Sequence, residues 1–577
     1  MSPVIKRVEA LRSQRWLAPD NTRSFAHRQR LQQMGLRREE FMSRPIIAII
    51  NTWSDLSPCH AHLRERADAV RRGVLQAGGM PFELPAMSLG EVLVKPTTML
   101  YRNFLAMEVE ELLRSLPIDG AVLLGGCDKT VPGLLMGALS ADLPCIFVPA
   151  GPMLNDRYCG KVVGAGTHTR KFWDERQAGN LGEREWTALE SRMSRTPGTC
   201  NTMGTASTMT LIAEAMGFTL PNAASIPAMD SAHARMASAS GARIVEMVWE
   251  DLKPSRFFDE KSVANAIVTY MALGGSTNAA IHLIAIAGRG SIPLTLDDIQ
   301  RLGGDVPVLA NILPSGGALM EDFYYAGGLP ALLRHIRAYL ATKCMTVNGR
   351  TLGENLEEAS AYEDRETIRT LLNPVTKERA LAVLRGNLAP EGAVIKPSGA
   401  SERLLKHHGP AFVFESMAEL NARIDDPELP VDENTVLVLR NGGPRGGPGM
   451  PEWGNLPIPK KLLERGVRDM VRISDARMSG THYGTCIVHV APEAAIGGPL
   501  ALIHTGDIVE LDVSAGRLDV LLSDADFAQR RAHWRPAVEV PTRGYTKIFV
   551  EHVTQANEGC DFDFLMGWRE PVEPPIY

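Results

Sequence analysis

The chain has 577 residues, of which 45% are hydrophobic and 22% are charged, and its formal net charge at pH 7 is -6. This length and composition are typical of a folded protein with roughly two to four domains. The acidic balance argues against nucleic acid as a partner, and no apolar run approaches the roughly 18 residues of a membrane span.

The N-terminal segment is rich in arginine between Arg7 and Arg30 but has no apolar signal core. It could imitate a transit peptide, but we expect an ordered surface arm. The chain has eight cysteines and no secretion signal, and this combination predicts reduced thiols and a cytoplasmic location.

Strand-like and helix-like segments alternate along the first part of the chain. Residues 45–50, 120–125 and 143–149 are short apolar runs, and helical patterns follow the first two across 63–75 and 134–139. This alternation predicts an α/β fold with a parallel sheet covered by helices. Ligands of such sheets gather beyond the carboxyl ends of the strands.

The pattern changes near residue 375, after a mostly helical stretch over 207–290. From there the chain shows short β-like runs that are broken by glycine and proline, and DIVELDV alternates with a period of two. We therefore predict an N-terminal α/β domain over 1–375 and a C-terminal β-rich domain over 376–577, built as a barrel or a sandwich. The charged stretch 354–366 is the expected linker.

Three cysteines lie far apart in polar, turn-like contexts: Cys59, Cys127 and Cys200. None belongs to the close pairs that zinc ribbons and ferredoxins use, so only the fold could bring them together. An iron–sulfur cluster normally takes four thiolates, and three would leave one iron open to substrate. Cys145 and Cys486 lie in apolar runs and are expected in the core.

The segment GGCDKT places a soft thiolate, Cys127, beside a hard carboxylate, Asp128. Soft sulfur suits iron–sulfur clusters and hard oxygen suits magnesium, so the pair could serve two neighbouring metals. The alternative is a tight glycine turn in which Asp128 is a cap and Lys129 lies on the surface.

Two loops of the second domain are further candidates. The glycine-rich run 441–455 is similar to a phosphate-cradling loop but lacks the P-loop ending. Within it, Glu452 is either a ligand or base, or a solvated carboxylate. Ser479 lies in 473–485, which does not have the elbow motif of hydrolases, and the residues alone favour an ordinary loop serine. His282, in an apolar helical run, is expected to be a core histidine.

Several long segments, taken together, resemble one known family. They are NTWSDLSPCH, GGCDKTVPGLLMGA, PGTCNTMGTASTM, GGSTNAAIHL, RGNLAPEGAVIKPS and GGPLALIHTGDIVELDV. Over nearly the whole chain they resemble the dihydroxy-acid dehydratase and phosphogluconate dehydratase family. The sequence around Glu91 and the segment SGTHYGT resemble the sugar-acid branch of this family, which includes dehydratases of the pentonates arabinonate and xylonate.

The resemblance implies an α/β N-terminal domain, a β-barrel-like C-terminal domain and a site at their junction. It implies a 2Fe–2S cluster bound by Cys59, Cys127 and Cys200. It also implies a Mg²⁺ ion whose oxygen ligands come from Glu91, Asp128, Glu452 and a carbamylated Lys129. A carbamate can bind a cation, whereas an ammonium repels one.

The resemblance further implies loss of water from a 2,3-dihydroxy acid, which gives a 2-keto-3-deoxy acid. Ser479 would be the catalytic base, and Thr481, His482 and Tyr483 could bind the hydroxyls of a sugar acid. The implied assembly is a homodimer or homotetramer with its active sites near the subunit contacts. Three alternatives remain: a branched-chain dihydroxy-acid substrate, a non-enzymatic iron–sulfur sensor, and a phosphate binder or transferase built on 441–455.

Overall fold

A computed structural model describes residues 6–567 and 573–576. The N-terminal part contains the strands Ile46–Asn51 (β1), Met80–Pro85 (β2), Gly120–Gly125 (β3), Cys145–Pro149 (β4), Asp156–Tyr158 (β5) and Lys161–Val163 (β6). Its first helices are Gln14–Leu17 (α1), Thr22–Gln33 (α2), Arg38–Phe41 (α3), Leu63–Gln76 (α4), Met99–Ser115 (α5), Thr130–Ala141 (α6), Thr167–Gln177 (α7) and Glu183–Glu190 (α8). Those that follow are Thr205–Ala215 (α9), Ser231–Glu250 (α10), Glu260–Leu273 (α11), Asn278–Arg289 (α12), Leu296–Gly303 (α13), Met320–Tyr325 (α14), Gly328–His335 (α15) and Leu352–Glu358 (α16).

The C-terminal part contains eight strands and four α-helices among the described residues. The strands are Ala382–Leu384 (β7), Gly392–Ile395 (β8), Lys406–Phe414 (β9), Val436–Leu439 (β10), Arg472–Ser474 (β11), Cys486–Ala491 (β12), Ile508–Asp512 (β13) and Arg517–Val520 (β14). The helices are Met417–Arg423 (α17), Lys460–Glu464 (α18), Asp524–His533 (α19) and Gly544–His552 (α20).

The first sheet has four parallel strands in the order β2-β1-β3-β4. Every residue of β1, β3 and β4 is buried, as expected when both faces of a parallel sheet are covered. Helices α4 and α10 pack on the sheet and on each other, and α6 packs against β3. The predicted parallel sheet is therefore confirmed, and the carboxyl ends of all four strands meet at one edge.

The second sheet has eight strands in the order β14-β13-β9-β10-β11-β12-β8-β7. Its two edge strands approach each other, because Arg385, just after β7, forms a bridge with Arg517 of β14. The sheet therefore nearly closes on itself. Of the two predicted forms the structure has the barrel-like one, and the predicted α/β class with a β-rich C-terminal region is confirmed.

Some local predictions need correction. The stretch 354–366 is not wholly a linker, because α16 runs to Glu358. The arginine-rich N-terminal segment is ordered but does not lie entirely on the surface, since Leu11, Trp16 and Leu17 are buried. The predicted domain boundary at 375 remains a prediction, and residues 1–5 lie outside the described part.

The expected core residues are confirmed. Cys145 lies in β4, Cys486 in β12 and His282 in α12, and all three are fully buried. Each of the eight cysteines is free. No helix among residues 6–567 and 573–576 is long and apolar enough to cross a bilayer.

Candidate functional site

The three cysteines singled out by the sequence lie near the carboxyl-end edge of the first sheet. Cys59 follows β1 and Cys127 follows β3. Cys200 comes after Thr199, which pairs with Pro152 just beyond the end of β4. Neighbouring parallel strands end side by side, and this topology brings together thiols that are distant in the sequence.

The three thiols lie close enough to influence one another, and two of them, Cys59 and Cys127, are buried while Cys200 is partly exposed. Hydrogen bonding with Cys127, together with burial, raises the pKa of Cys59 well above its usual range, and the charge of Cys200 adds to the effect. Burial and the nearby Asp128 carboxylate likewise raise the pKa of Cys200. Without a bound cation these environments favour neutral thiols, and thiolates here require a compensating positive charge.

His60, next to Cys59, joins the loops that carry the thiols. Its Nε2 lies 2.9 Å from the Gly126 carbonyl oxygen and its Nδ1 lies 2.8 Å from the Ser88 hydroxyl. Burial lowers the pKa of His60 to about 4, so the ring is neutral at pH 7. The sequence analysis did not assign this residue a role, although it stands in the same segment as Cys59.

Three carboxylates surround the side chain of Lys129 at the same edge. The Lys129 Nζ lies 3.2 Å from Glu91, 3.3 Å from Asp128 and 3.0 Å from Glu452. Glu91 follows β2, whereas Glu452 comes from the glycine-rich loop of the C-terminal part. The Lys129 side chain is fully buried, so the alternative of a surface lysine is wrong.

The charges of this cluster do not balance. Glu91, Asp128 and Glu452 face two cations, Lys129 and Arg477, which leaves one formal negative charge uncompensated. Burial raises the pKa of Glu91 and Asp128 despite the lysine. Burial also opposes ionisation of Glu452, but Lys129 and Arg477 outweigh it and lower the pKa of that residue to about 2. Such a pocket is suited to additional positive charge.

Glu452 is held by two residues that the sequence analysis missed. Arg477 Nη1 donates to its Oε1 at 2.9 Å, and Asn278 Nδ2 donates to the same oxygen at 2.9 Å. The alternative of a solvated Glu452 is therefore wrong. Asn278 stands in GGSTNAAIHL and Arg477 in the segment 473–485 that also contains Ser479, so both lie in motifs that were noticed, but neither residue was assigned a role.

The hydroxyls of two threonines hold Glu91. Thr97 Oγ1 donates to Glu91 Oε1 at 3.1 Å, and Thr98 donates to the other oxygen. Thr97 also accepts from Arg477 Nη2 at 3.0 Å. A continuous chain of hydrogen bonds therefore runs from Glu91 through Thr97 to Arg477 and Glu452.

Ser479 lies two residues after Arg477 and is partly buried. Its hydroxyl is 3.1 Å from that of Thr481. The carbonyl of Thr481 accepts from the Thr167 hydroxyl at 2.6 Å, which ties this loop to the start of α7. The serine therefore stands in an anchored loop, two positions along the chain from an arginine of the charged cluster.

The other two predicted substrate residues lie on the side of this loop that faces α7. The Tyr483 hydroxyl donates to Asp174 of α7 at 3.0 Å. Burial and the charge of Arg170 lower the pKa of His482 to about 4, while Glu452 acts in the opposite direction. The pKa of His482 therefore responds both to the carboxylate cluster and to a cation of α7.

The donor groups fit two different metal centres in kind. Sulfur stands on one side and carboxylate oxygen on the other, as iron–sulfur and magnesium chemistry require. Within the described ranges, however, no three Cys, His, Asp or Glu side chains stand at distances that would hold one ion. At the oxygen side the Lys129 ammonium occupies the centre of the cluster, and removal of its charge would be needed before it could share a cation.

Comparison with known protein families gives two matches that together cover most of the chain. Residues 44–355 match the dihydroxy-acid/6-phosphogluconate dehydratase N-terminal domain, and residues 366–560 match the C-terminal domain of the same family.

Several relatives match over nearly their full length. The chain is 61% identical to the 6-deoxy-6-sulfo-D-gluconate dehydratase of Pseudomonas putida, over all of both chains. It is 50% identical to the L-arabinonate dehydratase of Rhizobium leguminosarum bv. trifolii (strain WSM2304), over 97% of each chain. It is 36% identical to the D-xylonate dehydratase of Caulobacter vibrioides (strain ATCC 19089 / CIP 103742 / CB 15), over 97% of this chain and 96% of the relative.

Proposed function

The chain belongs to the dihydroxy-acid/6-phosphogluconate dehydratase family and is a hydro-lyase, and from this premise we propose that it removes water from a sugar acid to give a 2-keto-3-deoxy acid. The observation that carries the proposal is the meeting of three thiols, two of them buried and one partly exposed, with the carboxylate cluster around Lys129. Dehydration of a 2,3-dihydroxy acid needs a Lewis acid near each end of the C2–C3 bond. The thiol ligands and the carboxylate ligands that could hold two such metal centres lie side by side.

In this proposal Cys59, Cys127 and Cys200 hold a 2Fe–2S cluster. Mg²⁺ is held by oxygen ligands on Glu91, Asp128, Glu452 and a carbamylated Lys129. When bound, these groups supply Lewis acidity to the substrate carboxylate and to the departing C3 hydroxyl. Carbamylation would change Lys129 from a cation to an anion. This change would increase the uncompensated negative charge of the pocket and so favour binding of a divalent cation.

Side chains of the protein carry out proton removal and stabilise the charges of the site. Ser479 removes the proton at C2, and a serine hydroxyl acts as a base only if nearby positive charge lowers its pKa. Arg477, two positions earlier, is a fixed positive charge of this kind and also holds Glu452. Burial of the cluster limits the competition of water for these charges.

Two substrate classes are candidates within the sugar acids. The resemblance of the loop motifs favours a pentonate such as L-arabinonate or D-xylonate. The 61% identity to a 6-deoxy-6-sulfo-D-gluconate dehydratase favours a six-carbon acid with a sulfonate at its far end. Two cations of α7 support the second class, because a sulfonate is an anion. Lys171 Nζ lies 5.5 Å from the centre of the Tyr483 ring, and the charge of Arg170 contributes to the lowered pKa of His482.

The test is an anaerobic assay of the cluster-loaded enzyme with Mg²⁺, with detection of the keto acid. The panel contains L-arabinonate, D-xylonate, D-gluconate, 6-deoxy-6-sulfo-D-gluconate and a branched-chain 2,3-dihydroxy acid. We expect turnover of a sugar acid and little of the branched-chain acid, because hydrogen-bonding groups left without substrate hydroxyls discriminate by about 10⁴-fold. Preference for the branched-chain acid would support that alternative, and no dehydration at all would reject the proposal.

Arg170→Gln separates the two sugar-acid classes. If a terminal sulfonate is bound near α7, this variant should lower kcat/KM for the sulfonated acid much more than for D-gluconate. The matched control is Arg184→Gln, which changes an exposed arginine on the neighbouring α8. Equal losses for both substrates would remove Arg170 from the substrate argument.

The assembly and location are also proposals. We propose a homodimer or homotetramer with active sites near subunit contacts, and light scattering after size exclusion measures its mass directly. The eight free cysteines are consistent with the proposed cytoplasmic enzyme, because reducing compartments keep thiols free.

A further inference from the structure

The glycine-rich loop between β10 and α18 carries Glu452, and two of its backbone N–H groups donate hydrogen bonds to the side chain of another residue of the chain, Glu493. Arg445 N–H donates to both carboxylate oxygens of Glu493, at 3.1 and 3.0 Å, and Gly446 N–H donates to Oε2 at 2.8 Å. Glu493 is fully buried. Consecutive backbone N–H groups that converge on an anion form a nest, as in phosphate-binding loops.

Other contacts show that the nest is built for this carboxylate. Gln555 Nε2 donates to Glu493 Oε1 at 2.8 Å, while the Glu493 N–H donates to Gln555 Oε1 at 3.0 Å. A Cβ at Gly443 would come within 2.6 Å of the Glu493 side chain, so this approach requires glycine. The donors that a nucleotide phosphate would need are therefore engaged, which contradicts the phosphate-binder alternative for this loop.

A second buried carboxylate holds the start of the same loop. Asp475 Oδ1 accepts from Gly442 N–H at 2.8 Å, and its Oδ2 accepts from Ala494 N–H at 2.9 Å. Asp475 therefore links the loop to the residue that follows Glu493. The segment that begins with Asp475 continues to Arg477, whose carbonyl accepts from Gly454 N–H at 2.8 Å, so the loop is held at both ends.

We propose that Glu493 is a positioning residue, whose carboxyl group occupies the nest in the place of a phosphate and thereby fixes the loop that presents Glu452 to the cation. This inference rests on the proposed function, because it gives Glu452 a metal to bind. The physical reason is conformational entropy: every backbone residue that is fixed loses freedom, and this loop lacks regular secondary structure that would fix it. Charged acceptors form stronger bonds with N–H groups than neutral acceptors do.

The experiment compares wild type with Glu493→Gln in two measurements. The first is amide hydrogen exchange of the peptide that spans 441–455, and the second is Mn²⁺ binding followed by electron paramagnetic resonance, since Mn²⁺ shares the oxygen ligands of Mg²⁺. We expect faster exchange in this peptide and Mn²⁺ affinity about tenfold weaker, the lower end of the loss seen when groups that orient a metal ligand are removed. Gln555→Ala removes one donor to the Glu493 carboxylate and the acceptor of the Glu493 N–H, but leaves the nest contacts in place. It should show the same changes to a smaller degree and serves if the first variant does not fold.

Glu214→Gln is the matched control. Glu214 is also a buried carboxylate that accepts two backbone N–H groups, from Asn222 at 2.6 Å and Ala224 at 2.8 Å, but it lies near the C-terminal end of α9. It should leave Mn²⁺ affinity and exchange over 441–455 unchanged. Unchanged loop exchange in folded Glu493→Gln, or an equal loss of Mn²⁺ affinity in the control, would overturn the proposal. If wild type binds no Mn²⁺, the metal assignment fails, and with it the role of Glu493, while the exchange data alone would report whether Glu493 fixes the loop.

Discussion

The two sides of the candidate site are held in place by different means. On the N-terminal side, Cys59, Glu91 and Cys127 each follow a strand of one parallel sheet, and the register of the sheet brings them together. On the C-terminal side, Glu452 and Ser479 lie in long loops whose positions depend on buried charged groups.

The two sides are therefore expected to differ in their sensitivity to single substitutions. A residue that follows a buried strand depends on the hydrophobic core, which many side chains share, so single changes outside the site are expected to be tolerated. A residue in a loop depends on a few hydrogen bonds with charged partners. Removal of one partner leaves another buried group unpaired, which is costly. The following predictions test this contrast.

The largest effect is expected when a thiol on the sheet side is replaced. Cys59→Ser, Cys127→Ser and Cys200→Ser should each lose or degrade the proposed iron–sulfur cluster and abolish turnover, because an alcohol is a poor ligand for iron in such clusters. Iron analysis and visible absorption measure the cluster. Cys145→Ser, in the buried strand β4, is the control and should keep its iron. Full iron retention in any of the three variants would refute that ligand.

On the loop side, Ser479→Ala should remove turnover without removing the cofactors. The loss of a general base costs about 10²–10⁴-fold in rate, while the cluster absorption should remain that of the wild type. The two variant sets therefore separate a residue of the reaction from residues of the cofactor. A Ser479→Ala enzyme with normal kcat would show that another group removes the proton.

Arg477→Met should affect both function and stability. It leaves Glu452 without one of its two cationic partners and leaves Thr97 without a donor. Loss of one partner of a buried ion pair costs about 3–5 kcal/mol, so the thermal midpoint should fall together with activity and Mg²⁺ affinity. Arg477→Lys should recover the positive charge but not the two-armed contact, and therefore only part of the function and stability. A variant of normal stability and normal Mg²⁺ affinity would mean that the loop is fixed by other contacts.

The smallest effect is expected for a charged pair of the C-terminal part outside the site. Asp507 accepts from Arg530 of α19, and although burial opposes ionisation, this arginine lowers the pKa of Asp507. Because the folded pKa lies below the unfolded value of about 3.9, the stabilisation is present above that value and is lost as the pH falls through the folded pKa.

Asp507→Asn should therefore lower stability at pH 7 by at most about 1 kcal/mol, since the pair is partly exposed and screened by solvent. The difference from wild type in thermal midpoint should shrink as the pH is lowered below about 4, with kcat at pH 7 unchanged. A loss of activity at pH 7 would mean that charged pairs far from the loops also control the site.

Much of the fold could be predicted from periodicity. The apolar runs at 45–50, 120–125 and 143–149 correspond to β1, β3 and β4, and the stretch from Ser231 to Glu250 is one helix, α10. These runs are recognisable because burial on both sides of a sheet requires apolar residues throughout. Strand β2 was missed, because Pro81, Glu83 and Pro85 interrupt its apolar pattern.

For the site, the sequence by itself determined the chemical types: soft sulfur beside hard oxygen in GGCDKT, and a family of motifs spread along the whole chain. Only the tertiary structure decided the partners. Arg477 and Asn278 converge on Glu452, and Glu493 fills the glycine-rich loop, through contacts between residues distant in the sequence. Periodicity reports which face of an element is buried, but the partner of a buried charge depends on where separate loops meet in space, and local sequence carries no record of that.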